Sequence, residues 1–575
     1  MSDVFFLVLR RLRIPLILLV TVYAVATLGM TLIPGIDPNG QPWHMSFFHA
    51  FYFVSITATT IGFGEIPYPF TDTQRAWALI CAYTSVVAWL YAIGNMLKLL
   101  QDPTFINAIA ERTFAKNIKD IDQPFYIICG YGETGMFINQ GLSQLGIQTV
   151  IIERNHERTN SLELEDLSLP AIILNADTTD PRNLEYAGLH HGKCAGIIAV
   201  TEDDHTNLMV AVASKLLNKN VPVICRSEIQ DEADNMASFG TNVIVNPFLI
   251  FANRLNLMAH DPSLHHIQNW FINQHSAQHL TERPLPKGLW IICGFGRLGK
   301  SIEAILAKDG IEMVVIDPDP IQSGAPEGSI AGRGTEAKTL LEAGISDASV
   351  IVAASNDDAN NLSVMITAHQ INKQIYTIGR VNDEANQSLF EQANCDYIMR
   401  RSQLVANEVL TSISRPLVSK FIKYSSSLKD DSTERLIEEI DKLTGRHDPI
   451  TWRLLLNAEQ APALASHLEQ GLPLSVGQIC QNELLPRSRC LPLLLQRGSV
   501  SHLLPSSDTQ LMVDDELLVC GKKRSLLLPQ RLRENNELID TLINKNPRHI
   551  PLLRWWRRNA SARKLKADQV SKPDA

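Results

Sequence analysis

The stretch Thr57-Ala58-Thr59-Thr60-Ile61-Gly62-Phe63-Gly64-Glu65 lies between two long uncharged runs and decides how the chain around it is read. Gly62 and Gly64 alternate with larger residues after a series of threonines. Glycine takes φ > 0 without a Cβ penalty, so such a strand can turn successive carbonyls toward one side. Copies of it placed about an axis would stack those carbonyls in rings, which is one way to replace the hydration shell of an ion.

The flanks set the context. Ile14 to Ile36 carries no Asp, Glu, Lys or Arg, and neither does Ala76 to Leu97; each is long enough to cross a ~30 Å hydrocarbon core as a helix. The first run exceeds the ~7–15 apolar residues of a signal peptide and lacks a small-residue cleavage pattern, so it reads as an uncleaved helix. Arg10, Arg11 and Arg13 precede it, and Lys98 and Arg112 follow the second run, while the loop between holds only Arg75. The positive-inside rule then puts both termini in the cytoplasm. Residues 45–59 are apolar but suit a short re-entrant helix, with Phe51, Tyr52 and Phe53 packed around the strand. A third span is disfavoured by Gly62, Gly64, Pro67 and Pro69, because irregular backbone at membrane depth must be buried or line a watery path. Gly94 in the second span reads as a gating hinge or as a small-residue packing contact.

With this context TTIGFGE resembles the selectivity filter of potassium channels, usually TVGYG. The resemblance implies that Thr60, Ile61, Gly62, Phe63 and Gly64 present carbonyls to K⁺, and that four subunits close the pore. Phe63 stands for the usual tyrosine and so lacks its hydroxyl. Ile61 stands for valine, and Glu65 for the aspartate that commonly follows.

Over 575 residues the composition is globular, 45% hydrophobic and 20% charged, with a formal net charge of −9 that argues against nucleic acid as partner. Residues 1–97 hold only eight charged side chains, and the rest is ordinary soluble sequence. Nine scattered cysteines without a CxxC pair read as buried thiols of a reducing compartment.

From Pro124 onward the chain repeats itself. FYIICGYGETGMFINQGL returns as LWIICGFGRLGKSIEAIL from Leu289, so that Gly130, Gly132 and Gly135 match Gly294, Gly296 and Gly299. The next strand ends in Glu153 in one copy and Asp317 in the other. Downstream, VPVICR ending in Arg226 matches QIYTIGR ending in Arg380, about ten residues having been lost near the third strand. A matched set of this length is a duplication. Apolar strands alternating with helical patterns predict a parallel doubly wound sheet in each copy. GxGxxG between a strand and a helix, with an acid on the next strand, fits the dinucleotide fingerprint. The glycines admit a pyrophosphate, the helix N-terminus favours it, and the acid accepts ribose hydroxyls. An acid there repels a 2′-phosphate, which points to NAD or an adenine nucleotide (ADP or ATP) rather than NADP.

The copies differ. The first carries Glu133 in its loop, Arg154 beside Glu153, and Asp177-Thr178 after its third strand; the second carries Arg297 in its loop and Arg333-Gly334. With Arg380, the second site is expected to be the more electropositive and to suit several phosphates. The cluster His260, Asp261, His265, His266 reads as a polar helix end, metal binding being the alternative. Asp203-Asp204 and Asp357-Asp358 read as helix starts, where carboxylates favour the dipole, with calcium as the alternative. No His/Asp or Tyr/Lys constellation for a dehydrogenase presents itself.

The two copies resemble the regulator-of-potassium-conductance domains (RCK, or TrkA-N type). The fold expected is a membrane α-helical pore, two spanning helices plus a pore helix, fused to two tandem α/β Rossmann-like RCK domains and a small C-terminal α/β subdomain. The boundaries are 1–110 for the pore, 124–285 and 286–445 for the RCK copies with their helical linkers, 446–525 for the subdomain and 526–575 for a basic tail. That tail, with Arg554, Trp555, Trp556, Arg557 and Arg558, is a candidate for contact with anionic membrane lipid. The resemblance implies a homotetramer whose eight RCK domains form a gating ring, passing K⁺ under control of NAD or ADP/ATP, with calcium a further candidate ligand. The alternatives are a membrane-anchored nucleotide-dependent enzyme or redox sensor, and a regulatory subunit of a separate transporter.

Overall fold

The computed structural model describes residues 2–101, 113–163, 165–272, 285–426, 428, 430–445, 449–480 and 489–526. The middle of the segment joining the second span to the first repeat and the basic tail lie outside these. Two compact units divide the chain, one made of residues up to Asp122 and the other of nearly all that follows Gln123.

Three helices of the first unit are Ser2–Leu32, Phe47–Ala58 and Asp72–Leu100. Two of them are long and apolar enough to cross a membrane, over Leu12–Leu32 and Asp72–Lys98. The first stops at Leu32, short of the expected Ile36, because Pro34 has no N–H to continue the helix. The short helix is capped by Ser46, whose side chain accepts from the His49 amide. Its Ala50, Phe53 and Val54 pack with Ala26, Met30, Phe70 and Cys81 of the chain around it. Of the aromatic run, Phe53 meets Phe70 edge-on at 5.0 Å, whereas Phe51 and Tyr52 are exposed on the single chain. Gly29 lets the first span approach Trp77 of the last, whose indole N–H donates to the Ala26 carbonyl at 3.2 Å. The spans carry exposed apolar side chains along their length, among them Ile17, Val20, Leu79, Val87 and Leu90, as suits a lipid or subunit-facing surface.

The second unit holds both repeats. Six strands of the first run in the order 172–175, 148–153, 125–129, 194–199, 223–226, 243–245, and the second repeats it as 330–331, 313–317, 290–293, 350–353, 376–381, 397–400, every neighbour pair of the second parallel. The predicted doubly wound sheet is present twice. The shortening falls where the duplication placed it: the helix after the second strand has eight residues in the first copy, His156–Glu163, and four in the second, Pro320–Ser323.

The stretches expected as linkers form the contact between the copies. Helix Pro247–His260, which leaves the first copy, packs on Arg297–Leu306 of the second, and Arg401–Ser414 of the second packs on Glu133–Gln144 of the first. The exchange is built into the core: Phe248, Phe251 and Leu255 share a cluster with Trp290, Leu298 and Ile302. On the other side, Gly141 leaves room for Leu410. Trp290 is fully enclosed there, and its truncation to alanine is expected to cost about 3–5 kcal/mol.

Beyond helices Pro416–Ser425 and Asp430–Thr444 comes a four-stranded antiparallel sheet in the order 450–455, 516–521, 490–497, 500–503. Its two helices, Pro462–Glu469 and Val476–Cys480, make it the expected small α/β subdomain. Leu493, Leu494 and Leu518 of the sheet bury against Phe271, Phe421 and Ile440 of the preceding helices.

Candidate functional site

The strand Thr60–Gly64 is held at both ends. At its start the amides of Ile61 and Gly62 both donate to the carbonyl of Ile56, at 2.9 and 3.1 Å, which straps it to the end of the short helix. Along it φ is positive at Thr60 (62°), Gly62 (65°) and Gly64 (96°) but not at Ile61 or Phe63. Reversing the sign of φ at every second residue turns successive carbonyls to one side. The two glycines do this freely; Thr60 does it at a steric cost that L-residues normally avoid. The glycine pattern did not reveal Thr60. At the far end Glu65 takes the Arg75 Nε–H at 2.9 Å and the Phe70 amide at 2.9 Å. Ile61 and Phe63 are exposed on the single chain. Gly94 has nothing within 4 Å of where a Cβ would stand, so among the described residues it makes no packing contact.

In the second unit each glycine loop is shaped by two obligatory glycines. Gly130 (φ 97°) and Gly294 (φ 100°) pass against the backbone of Thr201 and of Ser355, where a Cβ would come within about 3.1 Å. Gly135 and Gly299 lie on the carbonyls of Gly130 and Gly294, closer than a Cβ allows. The middle glycines differ: a Cβ on Gly132 would meet Arg158 and Glu202, which pair at 3.5 Å, whereas Gly296 faces open space. The loop of the second copy is thus the uncovered one.

The strand-end acids hold the loops in place. Glu153 accepts from the amides of Tyr131 (2.6 Å) and Asn155 (2.8 Å), and Asp317 from Phe295 (2.7 Å) and Asp319 (3.0 Å). Both are buried. Each carboxylate oxygen has a second lone pair, so a ribose hydroxyl can still be accepted. A buried asparagine repeated in both copies escaped the sequence reading. Asn207 clamps Thr201 to the Arg226 carbonyl, and Asn361 clamps Ser355 to the Arg380 carbonyl, all at 2.9–3.0 Å. Arg154 is exposed, and Asp177 folds back on the amide and hydroxyl of Thr179 at 2.9 and 2.8 Å. Those bonds hold its carboxyl below the usual range, with Arg154 adding to the effect. Thr178 beside it is buried, and Arg333 is exposed.

The exchange of helices brings the two loops against opposite copies. Glu133 of the first loop accepts from the Glu384 amide (3.3 Å) and the Ser402 hydroxyl (3.0 Å) of the second copy. Arg297 of the second loop pairs with Glu228 of the first copy at 2.7 Å. Glu228 also takes Arg401 at 3.2 Å and Arg226, which approaches it closely. Burial alone would raise the Glu228 carboxyl; Arg226 and Arg401 outweigh it and hold the group below the usual range. Arg380 completes the cluster. It is almost wholly buried, its guanidinium lies 5.0 Å from the Phe248 ring, and that of Arg297 lies 5.5 Å from the same ring. Burial, with Arg401 nearby, lowers the Arg380 pKa to about 10. Three arginines thus converge on one acid, with Arg380 beside them on the Phe248 ring, and neither Glu228 nor Arg401 carries a motif that singles it out.

The other candidates resolve as helix ends. Asp203 and Asp357 cap their helices, accepting from the amides of Thr206 and Asn360. Asp204 takes the amides of Glu228 (2.6 Å) and Ile229 (2.8 Å), and Asp358 those of Asn382 and Asp383. Of the histidines, His260 lies 3.9 Å from Asp309 and the His266 ring lies tilted against that of Trp270, 4.2 Å between centroids. His265 is buried, which lowers its pKa to about 4. No group of three metal-ligating side chains gathers among the described residues.

Comparison with known proteins agrees with this division. Residues 17–102 match the ion channel family, and residues 126–247 and 290–401 each match the TrkA-N domain. Potassium channel protein 1 of Methanocaldococcus jannaschii is 27% identical over 38% of this chain and 64% of its own length. Probable potassium channel protein 2 of the same organism is 23% identical over 46% of this chain and 73% of its own. The chain therefore spans just under two thirds of the first of these relatives. A solved structure described as the GsuK channel bound to NAD is 15% identical at a TM-score of 0.47, over 92% of this chain and 100% of that one. The chain is thus an ion-channel domain joined to two TrkA-N domains in tandem.

Proposed function

We propose that this chain is one subunit of a homotetrameric potassium channel of the cell membrane, opened and closed by nucleotide binding to its TrkA-N pair. The observation that carries the reading is the alternation of φ sign along Thr60–Gly64, in a strand strapped between two helices long enough to span a membrane. The names of its relatives in Methanocaldococcus jannaschii support K⁺ as the permeant ion. In this reading Thr60, Ile61, Gly62, Phe63 and Gly64 are the filter, both termini are cytoplasmic, and four chains supply eight TrkA-N domains to a ring.

The nucleotide, NAD or ADP/ATP, binds at the glycine loops: Gly130, Gly132 and Gly135 with Glu153, Arg154, Asp177, Thr178 and Arg226 in one copy, Gly294, Gly296, Arg297 and Gly299 with Asp317 and Arg380 in the other. It shifts the pore only as far as it binds one ring state more tightly than the other. The chain makes and breaks no bond. Calcium is the less favoured ligand, since Asp203, Asp204, Asp357 and Asp358 are engaged with backbone amides. The test is K⁺ flux into liposomes carrying the purified protein. Gly62→Ala should abolish flux, and NAD or ADP should change it in the unaltered protein; flux untouched by Gly62→Ala leaves the helices as a mere anchor.

A further inference from the structure

We propose that Glu228 is a tethered counter-anion whose place the terminal phosphate of a nucleotide takes, so that the second glycine loop selects ligands ending in a doubly charged phosphate. This rests on the nucleotide reading above and names what its second site discriminates.

Three features carry it. The first is charge. Arg226, Arg297 and Arg401 pair with one carboxylate, Arg380 shares the Phe248 ring with Arg297, and the next acids are committed elsewhere. Glu202 pairs with Arg158, and Asp358 is held by Asn382, Asp383 and Asn386. The second is unmet bonding. Arg380 is 3% exposed, and its guanidinium makes no ion pair or hydrogen bond among the described residues; its Nε–H, like that of the equally buried Arg226, has no partner. Buried guanidinium hydrogens are rarely left so, and Glu228 is too short an anion to reach them all. The third is access. Arg297 is 46% exposed and stands beside Gly296, whose face is open, so an anion entering along the glycine loop meets the cluster from its open side.

A phosphate monoester carries about −1.5 to −2 charge near pH 7 and three acceptor oxygens. It can replace the single negative charge of Glu228 and satisfy the free guanidinium hydrogens as well. The pyrophosphate of NAD is a diester with one charge on each phosphorus, so it compensates less. Because Arg226 and Glu228 come from the first copy and Arg297, Arg380 and Arg401 from the second, the exchange also ties ligand occupancy to the contact between the copies.

The test is calorimetric titration of ADP and NAD into the full chain in detergent, comparing wild type, Glu228→Gln and Glu228→Asp. ADP should bind Glu228→Gln about ten-fold or more tightly than wild type, the order expected when a charge-assisted contact need not be broken, and the gain for NAD should be smaller. Glu228→Asp keeps the charge but reaches fewer arginines, and should fall between. If Glu228→Gln does not fold, Glu228→Asp decides alone. Adding Arg297→Ala to either variant should erase the gain. A wild type that binds ADP while both variants bind it equally or more weakly overturns the proposal and leaves the nucleotide reading standing. Proteins that all ignore ADP and NAD overturn both.

Discussion

Glu65 Oε1 lies 2.9 Å from Arg75 Nε, and the other oxygen of the same carboxylate takes the Phe70 amide, so the far end of the Thr60–Gly64 strand is fixed to the start of the helix Asp72–Leu100. Arg75→Gln removes the charge that orients Glu65. As an exposed pair it should leave the stability of the fold nearly unchanged, yet K⁺ over Na⁺ selectivity should fall. Paired thermal unfolding and flux measurements check this; unchanged selectivity would assign Glu65 no part in holding the filter.

The glycine loops separate folding from binding. Gly299→Ala drives a methyl into the Gly294 carbonyl and should destabilise the second unit by roughly 1–3 kcal/mol. Gly296→Ala adds a methyl to open space and should change stability by less than about 0.5 kcal/mol. It should nevertheless weaken nucleotide binding, since the methyl occupies the path of the pyrophosphate. Denaturant unfolding and titration of the same two proteins test the contrast.

The arginine cluster predicts a specific acid sensitivity. The Glu228 carboxyl is held below its ordinary value of 4.5 in the folded chain. The unfolded chain therefore binds the proton first, and the stability due to Glu228 is full above about pH 4.5 and lost as pH falls through the lower folded value. Melting temperatures from pH 6 downward should fall less steeply for Glu228→Gln than for wild type.

The thiols of the paired sheets should be inert. Burial raises Cys129 far above the usual range and pushes Cys225 and Cys293 up to about 12, leaving almost no thiolate at pH 8. Iodoacetamide should label these three only on unfolding, as mass spectrometry of native and denatured protein would show; rapid native labelling of Cys225 would contradict the packing described.

Much of this was legible from local signals. The long apolar helices show as absence of charge, the positive φ at Gly62 and Gly64 as alternating glycines, and the duplication as Gly130/Gly294 and Arg226/Arg380 at matching places in the two copies. What escaped depends on distant partners. Residues 246–260 read as linker because nothing local says that Phe248 and Leu255 bury against the other copy. Glu228 carries no local motif, and only the exchange of helices sets it between Arg226, Arg297 and Arg401. Glu153 and Asp317 were expected to await ribose; they also hold their own loops through Tyr131 and Phe295, a bond no spacing rule announces. Thr60 gave no sign of its positive φ, because threonine adopts it only where the neighbouring chain insists.

The most direct measurement is ion flux through the purified protein in liposomes, K⁺ against Na⁺, with NAD and ADP each added in turn. The account predicts K⁺ flux well above Na⁺ flux and a change in K⁺ flux with nucleotide. Equal K⁺ and Na⁺ flux, or flux indifferent to every nucleotide, would contradict it.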